Sequence, residues 1–193
     1  MTVARLTAAR PAVAWLRRLW AERDASAAVE FVMVLPILAL LLFGTIDLGR
    51  LLADYQTAAQ GIRDAARYLS RADPTVLGID CALGMVDDGS SPALAAMNLA
   101  MTGTVDGSGG YVLGYWTDSS SLAAAGITVS VLCEDNSGGV LSGLYSDVAM
   151  VPSLHVSAAI SFPLLNGWLL GRGDTLSVTV RHREPHVGGR WGL

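Results

Sequence analysis

The hydrophobic pattern divides the chain into three regimes. From Ala25 to Ile46 the run ASAAVEFVMVLPILALLLFGTI is apolar on every face, with Glu30 as its only charge. At about 1.5 Å rise per residue this run makes a helix of about 33 Å, enough to cross a hydrocarbon core of about 30 Å. Beyond it the pattern narrows to a stripe. Leu48, Leu52, Tyr55, Ala59, Ile62, Ala66 and Leu69 recur every three or four residues, with Arg50, Asp54, Gln56, Gln60, Arg63, Asp64 and Arg67 on other faces. The spacing predicts one continuous helix from about Ala27 to Leu69, closed off before Asp73-Pro74 because the residue preceding a proline is pushed out of the α region. Alanines along the seam permit close approach but bury little area each, so it can dock the chain's own exported domain or a neighbouring subunit.

After Pro74 the period shortens to two. Strands are expected at Tyr111 to Thr117, Ile127 to Cys133, Leu154 to Phe162 and Thr175 to His182, with the alternation clearest in Ile127, Val129, Val131 and in Leu176, Val178, Val180. A short helix with Pro92 in its first turn is expected at Ser91 to Ala100, followed by a Gly/Ser/Asp turn at Asp106 to Gly110. The expected fold class is α+β: a long N-terminal transmembrane helix continuing into a small exported domain with an antiparallel sheet. The divisions are a basic leader (1–25), the span (26–46), the exported continuation of the helix (47–72) and the domain proper (73–193).

Composition supports a membrane segment rather than disorder, since 52% of the 193 residues are hydrophobic and only 16% charged. All thirteen basic residues are arginine, and their placement sets a direction. Residues 1–26 carry five arginines against Glu22 and Asp24, net +3, whereas residues 44–193 carry eight against fourteen acids, net −6. The positive-inside bias therefore puts the N-terminus in the cytoplasm and predicts that residues beyond about 47 are exported, with Trp15 and Trp20 suited to the cytoplasmic interface. A removable secretory signal is the alternative, but the apolar run is long for one and Phe43-Gly44-Thr45 is not a small-x-small cleavage signal. An acidic domain without an aromatic-laced basic patch argues against nucleic-acid binding.

Glu30 is the first candidate for function. A carboxylate inside an apolar helix is costly and usually has a partner or a task; one near the headgroups costs little. The functional reading pairs it with a cation such as the N-terminal amine of a neighbouring subunit, which requires removal of the leader just upstream. Pro36 removes one helix donor, a change that membrane helices tolerate.

Cys81 and Cys133 are the only cysteines. In a small exported domain they are most simply one disulfide; two free thiols or a metal site are the other readings. Catalytic signatures are lacking: no GxSxG, HExxH or phosphate-binding glycine loop with lysine occurs. His182, Glu184 and His186 lie close in RHREPHVGG without forming a familiar ligand set, and His155 lies on a strand candidate. Asp87 and Asp88, or Glu134, Asp135 and Asn136, could chelate calcium weakly, but neither matches an EF-hand loop and solvated turns are the simpler reading. No enzyme activity, cofactor or metal is expected.

The segment SAAVEFVMVLPILALLLFGTIDLGRLLADYQTAAQGIRDAARYLSR closely resembles the TadE/TadG-like family, the minor pilins or pseudopilins of tight-adherence (Flp-type) pilus systems. The resemblance rests on Ala-Val-Glu-Phe at 28–31, Leu-Pro at 35–36, Phe-Gly and an acidic residue over 43–47, and Ala-Ala-Arg-Tyr at 65–68, about a quarter of the chain. It implies a pilin-like, non-enzymatic inner-membrane protein whose partners are other pilins or pseudopilins, the pilus assembly platform and a prepilin peptidase. It would make Glu30 the fifth residue of a mature chain cut between Ala25 and Ser26, setting registry with a neighbour. Alanine stands before that bond where prepilins usually carry glycine, and an uncut, anchored assembly factor fits the same residues.

Overall fold

The computed structural model describes residues 24–138, 145, 149–164 and 175–187; the basic leader with Trp15 and Trp20 lies outside the described residues. The chain divides into two compact units, Met1–Ile46 and Asp47–Leu193. One helix, α1, runs without interruption over Asp24–Leu69 and passes through Pro36.

In the second unit the end of α1 is followed by two short helices. Asp73 caps α2 (Pro74–Leu77): its carboxylate accepts from the Thr75 amide at 2.9 Å, and Pro74 opens the helix where no amide partner is needed. The long helix closes at Leu69, as the spacing predicts, and Asp73-Pro74 beyond it opens a new turn. Ser90 caps α3 (Ser91–Thr102) through the Ala93 amide at 3.4 Å, and Gly103, at φ 73°, ends it in the left-handed conformation that glycine adopts without a Cβ penalty.

The sheet has the order β1-β2-β3 and is antiparallel throughout: β1 (Ile127–Asp135), β2 (Met150–Pro163) and β3 (Thr175–Pro185). Registers run from Ile127 opposite Ala158 to Asp135 opposite Met150, and from Ser153 opposite Pro185 to Pro163 opposite Thr175. Period-two alternation chooses the inner face, with Ile127, Val129 and Val131 of β1 buried beside Leu154, Val156, Ala158, Ile160 and Phe162 of β2. In β3 only Val180 is buried; Val178 is half-buried and Leu176 exposed.

The expected strand at Tyr111 to Thr117 is a correction: that segment is irregular. Leu113 and Trp116 are buried while Tyr111, Val112 and Tyr115 are exposed, a spacing of three that a pleated strand cannot produce. The Trp116 amide bonds back to the Leu113 carbonyl at 3.0 Å, and its indole N–H donates to the Ala125 carbonyl at 2.7 Å.

One core joins these pieces. Ile62, Ala66 and Leu69 of α1, Leu77 of α2, and Ala93, Ala96, Ala100 and Met101 of α3 belong to the same buried cluster as the inner sheet face. Gly61 marks where α1 and α3 cross, because a Cβ there would run into the Ala100 carbonyl oxygen.

Candidate functional site

From Val29 to Leu42 the large apolar side chains of α1 are all exposed, from 47% at Leu35 to 73% at Met33, and the helix is long and apolar enough to cross a membrane. Water would not tolerate such a surface; lipid or partner helices must cover it. Glu30 lies on this stretch and is exposed. Ala25 and Ser26, the bond proposed for peptidase cleavage, fall in the first turn of the same helix.

The seam beyond the span splits in two. Ile62, Ala66 and Leu69 are fully buried in the domain core and Ala59 is partly buried, but Leu48, Leu52 and Tyr55 remain 65%, 56% and 38% exposed. The face that packs instead runs through Leu51, Ala58, Ile62, Ala65 and Leu69. The reason is geometric: a seven-residue repeat drifts by about 20° per heptad on a straight helix, so the stripe has turned by about 60° between Leu48 and Leu69. Leu51 and Leu69, about five turns apart, share one face. The distal half of the seam therefore docks the chain's own domain, while the proximal half is left as an open apolar stripe.

Two cross-links hold that arrangement. Cys81 and Cys133 form a disulfide with Cα atoms 5.6 Å apart, tying the loop after α2 to β1, and the same loop is held by the Val131 amide donating to the Gly84 carbonyl at 2.9 Å. On the opposite end of the core the Tyr115 hydroxyl donates to Asp54 Oδ2 at 2.9 Å, and the ring packs edge-on to Phe162 with centroids 5.7 Å apart. Partial burial and the neighbouring Asp54 carboxylate hold the Tyr115 phenol well above its ordinary range.

The C-terminal histidine segment is structural in its contacts. His182 Nε2 lies 3.0 Å from Glu184 Oε2, whereas His186 points elsewhere: it is fully buried and its Nε2–H donates to the Ala72 carbonyl at 3.0 Å. The His186 amide bonds Pro152 and the Val187 amide bonds Ser70 at 2.8 Å, lacing the end of β3 to the end of α1. Burial pushes the His186 imidazole below its usual range, opposed by the Ala72 carbonyl and the Asp73 charge. His155 stands between Ser130 and Arg183 across the sheet.

The acidic turns are occupied by their own backbone. Asp87 accepts from the Gly89 amide at 3.0 Å, Asp135 from the Ser137 amide at 2.9 Å, and Glu134 is paired with Arg183. Among the described residues no group of three or more His, Cys, Asp or Glu side chains is placed to hold a metal ion. What the sequence did not reveal are the Tyr115–Asp54 contact and the buried seat of His186 against Ala72; no local pattern marks either, because the partners lie far away along the chain.

Residues 25–67 match the family described as TadE-like protein, a segment that holds the apolar run, Glu30 and every stripe residue except Leu69. None of the curated proteins and none of the solved structures matches the chain.

Proposed function

We propose that this chain, TadE-like over residues 25–67, is a membrane-anchored minor pilin or pseudopilin that takes part in assembling a tight-adherence (Flp-type) pilus. The observation that carries the reading is the helix Asp24–Leu69: a fully exposed apolar stretch bearing one carboxylate, continuous with a segment whose distal half is buried in a disulfide-closed α+β unit. Such a helix holds a subunit in the bilayer until it is handed to neighbours of the same kind. Its task is structural, not catalytic.

The orientation follows from charge and redox chemistry. Arginines crowd the side before the span, and a disulfide belongs in an oxidising compartment, so the N-terminus is cytoplasmic and the domain periplasmic. In this reading residues 1–25 are the leader, 26–46 the transmembrane helix, 47–72 its exported continuation and 73–193 the periplasmic domain. Partners are other pilins or pseudopilins, the assembly platform in the inner membrane, and prepilin peptidase acting between Ala25 and Ser26. Glu30 then sets axial registry by pairing with the new N-terminal amine of a neighbour, an ion pair strengthened by the low dielectric around it.

The test is intact mass and N-terminal sequence of the protein recovered from native membranes, together with pilus assembly by Glu30→Gln. A start at Ser26 and loss of assembly in the variant support a processed pseudopilin. A start at the first or second residue makes the protein a permanently anchored assembly factor, and unchanged assembly with Gln at position 30 refutes the registry role.

A further inference from the structure

At the far end of α1 an open groove of about 690 Å³ lies between the helix terminus and the starts of α2 and α3, bordered by Arg67, Tyr68, Arg71, Asp73, Val76 and Pro92. Its floor is apolar: Val76 is 53% exposed, and Tyr68 and Pro92 are half-buried. Its rim is cationic. Arg67 and Arg71 border it and Arg63 stands one turn earlier on α1; all three are exposed, and neither of the two ion pairs among the described residues involves them. The one acid at the rim, Asp73, already accepts from the Thr75 amide at 2.9 Å and the Thr75 hydroxyl at 2.6 Å.

This concentration of unpaired positive charge stands out in a region, residues 44–193, that is net −6. Cations at a helix C-terminus favour the helix dipole, which accounts for one or two of them. It does not account for an exposed apolar floor beside a ridge of three.

We propose that this groove is a docking site for an acidic segment of a partner polypeptide, one that presents two carboxylates a helical turn apart beside an aliphatic or aromatic side chain. The carboxylates pair with Arg67 and Arg71, whose forked guanidinium groups suit bidentate recognition, and the apolar side chain covers Val76 and Pro92. A lipid headgroup is a poorer match. Arg67 lies twenty residues along α1 from Asp47, the first charge after the apolar run, which is about 30 Å of helix. The site stands on the described groove and does not depend on the pilus assignment.

The full-length protein in native membranes, carrying a photo-crosslinking phenylalanine analogue at position 76, tests this. The cross-linked peptide is mapped by mass spectrometry in the parent, in Arg67→Glu/Arg71→Glu and in Arg67→Lys/Arg71→Lys, with disulfide formation and thermal melting as folding controls. The expected result is a cross-link to a carboxylate-bearing segment of another protein, reduced about tenfold by charge reversal, largely kept by the lysine pair, and restored when those carboxylates are changed to lysine against the reversed groove. A yield indifferent to charge reversal overturns the proposal, as does cross-linking only to phospholipid or only to residues 188–193 of the same chain.

Discussion

The Tyr115 hydroxyl donates a hydrogen bond to Asp54 Oδ2 at 2.9 Å, joining residues 61 apart in sequence and pinning the irregular segment after α3 to the middle of α1. Around this contact the stripe of α1 changes character: Leu48 and Leu52 before it are exposed, Ile62 and Ala66 beyond it buried. Tyr115→Phe keeps the ring against Phe162 and removes only the donor. It should lower stability by about 0.5–1 kcal/mol, the range for a partly exposed hydrogen bond, while Tyr115→Ala should cost clearly more through lost packing. Thermal melts of the full chain in detergent micelles check the order of the two.

Removing the disulfide should be expensive. The bridge closes a separation of 52 residues, for which the chain-entropy account gives about 4 kcal/mol. Cys81→Ser/Cys133→Ser should therefore melt well below the parent, and reductant should lower the parent's midpoint towards that of the variant while leaving the variant's unchanged.

Gly61→Ala separates intrinsic propensity from packing by the sign of its effect. In an exposed helix interior the change stabilises by about 1 kcal/mol. Here the new Cβ meets the Ala100 carbonyl oxygen, so the helices must part, and a net loss of about 1–3 kcal/mol is expected. A variant that melts higher than the parent would mean that α1 and α3 do not cross closely at this position.

His186 should make the domain sensitive to mild acid. Its folded-state pKa lies below the ordinary value of about 6.5, so the unfolded chain binds the proton more readily. Stability from the neutral, buried ring is complete above about pH 6.5 and is lost as pH falls through the window between that value and the depressed one. The melting temperature should decline from pH 7.5 to pH 5 in the parent. His186→Gln should start lower at pH 7.5 and show a flatter decline; an equally steep one would mean that His186 is not the source of the pH dependence.

The regular elements were legible because each rests on local periodicity. The apolar run and the stripe that follows it announce α1, the alternation Ile127, Val129, Val131 announces β1, and Pro92 announces the first turn of α3. Tyr111 to Thr117 misled for the same reason. Its aromatic and β-branched content suits a strand, but Trp116 is held by the Ala125 carbonyl and Val112 by the Met101 carbonyl, partners that composition cannot name.

By itself the sequence determined that this protein carries a membrane-length apolar helix with one carboxylate and an acidic α+β domain beyond it that holds both cysteines, since length, charge and period are properties of neighbouring residues. Tertiary structure alone decided which half of the stripe is buried, because the slow drift of a heptad around a straight helix matters only once a domain packs on one side of it. It also decided that Tyr115 meets Asp54, that His186 closes against Ala72, and that two arginines border an apolar groove, for these depend on where distant segments converge.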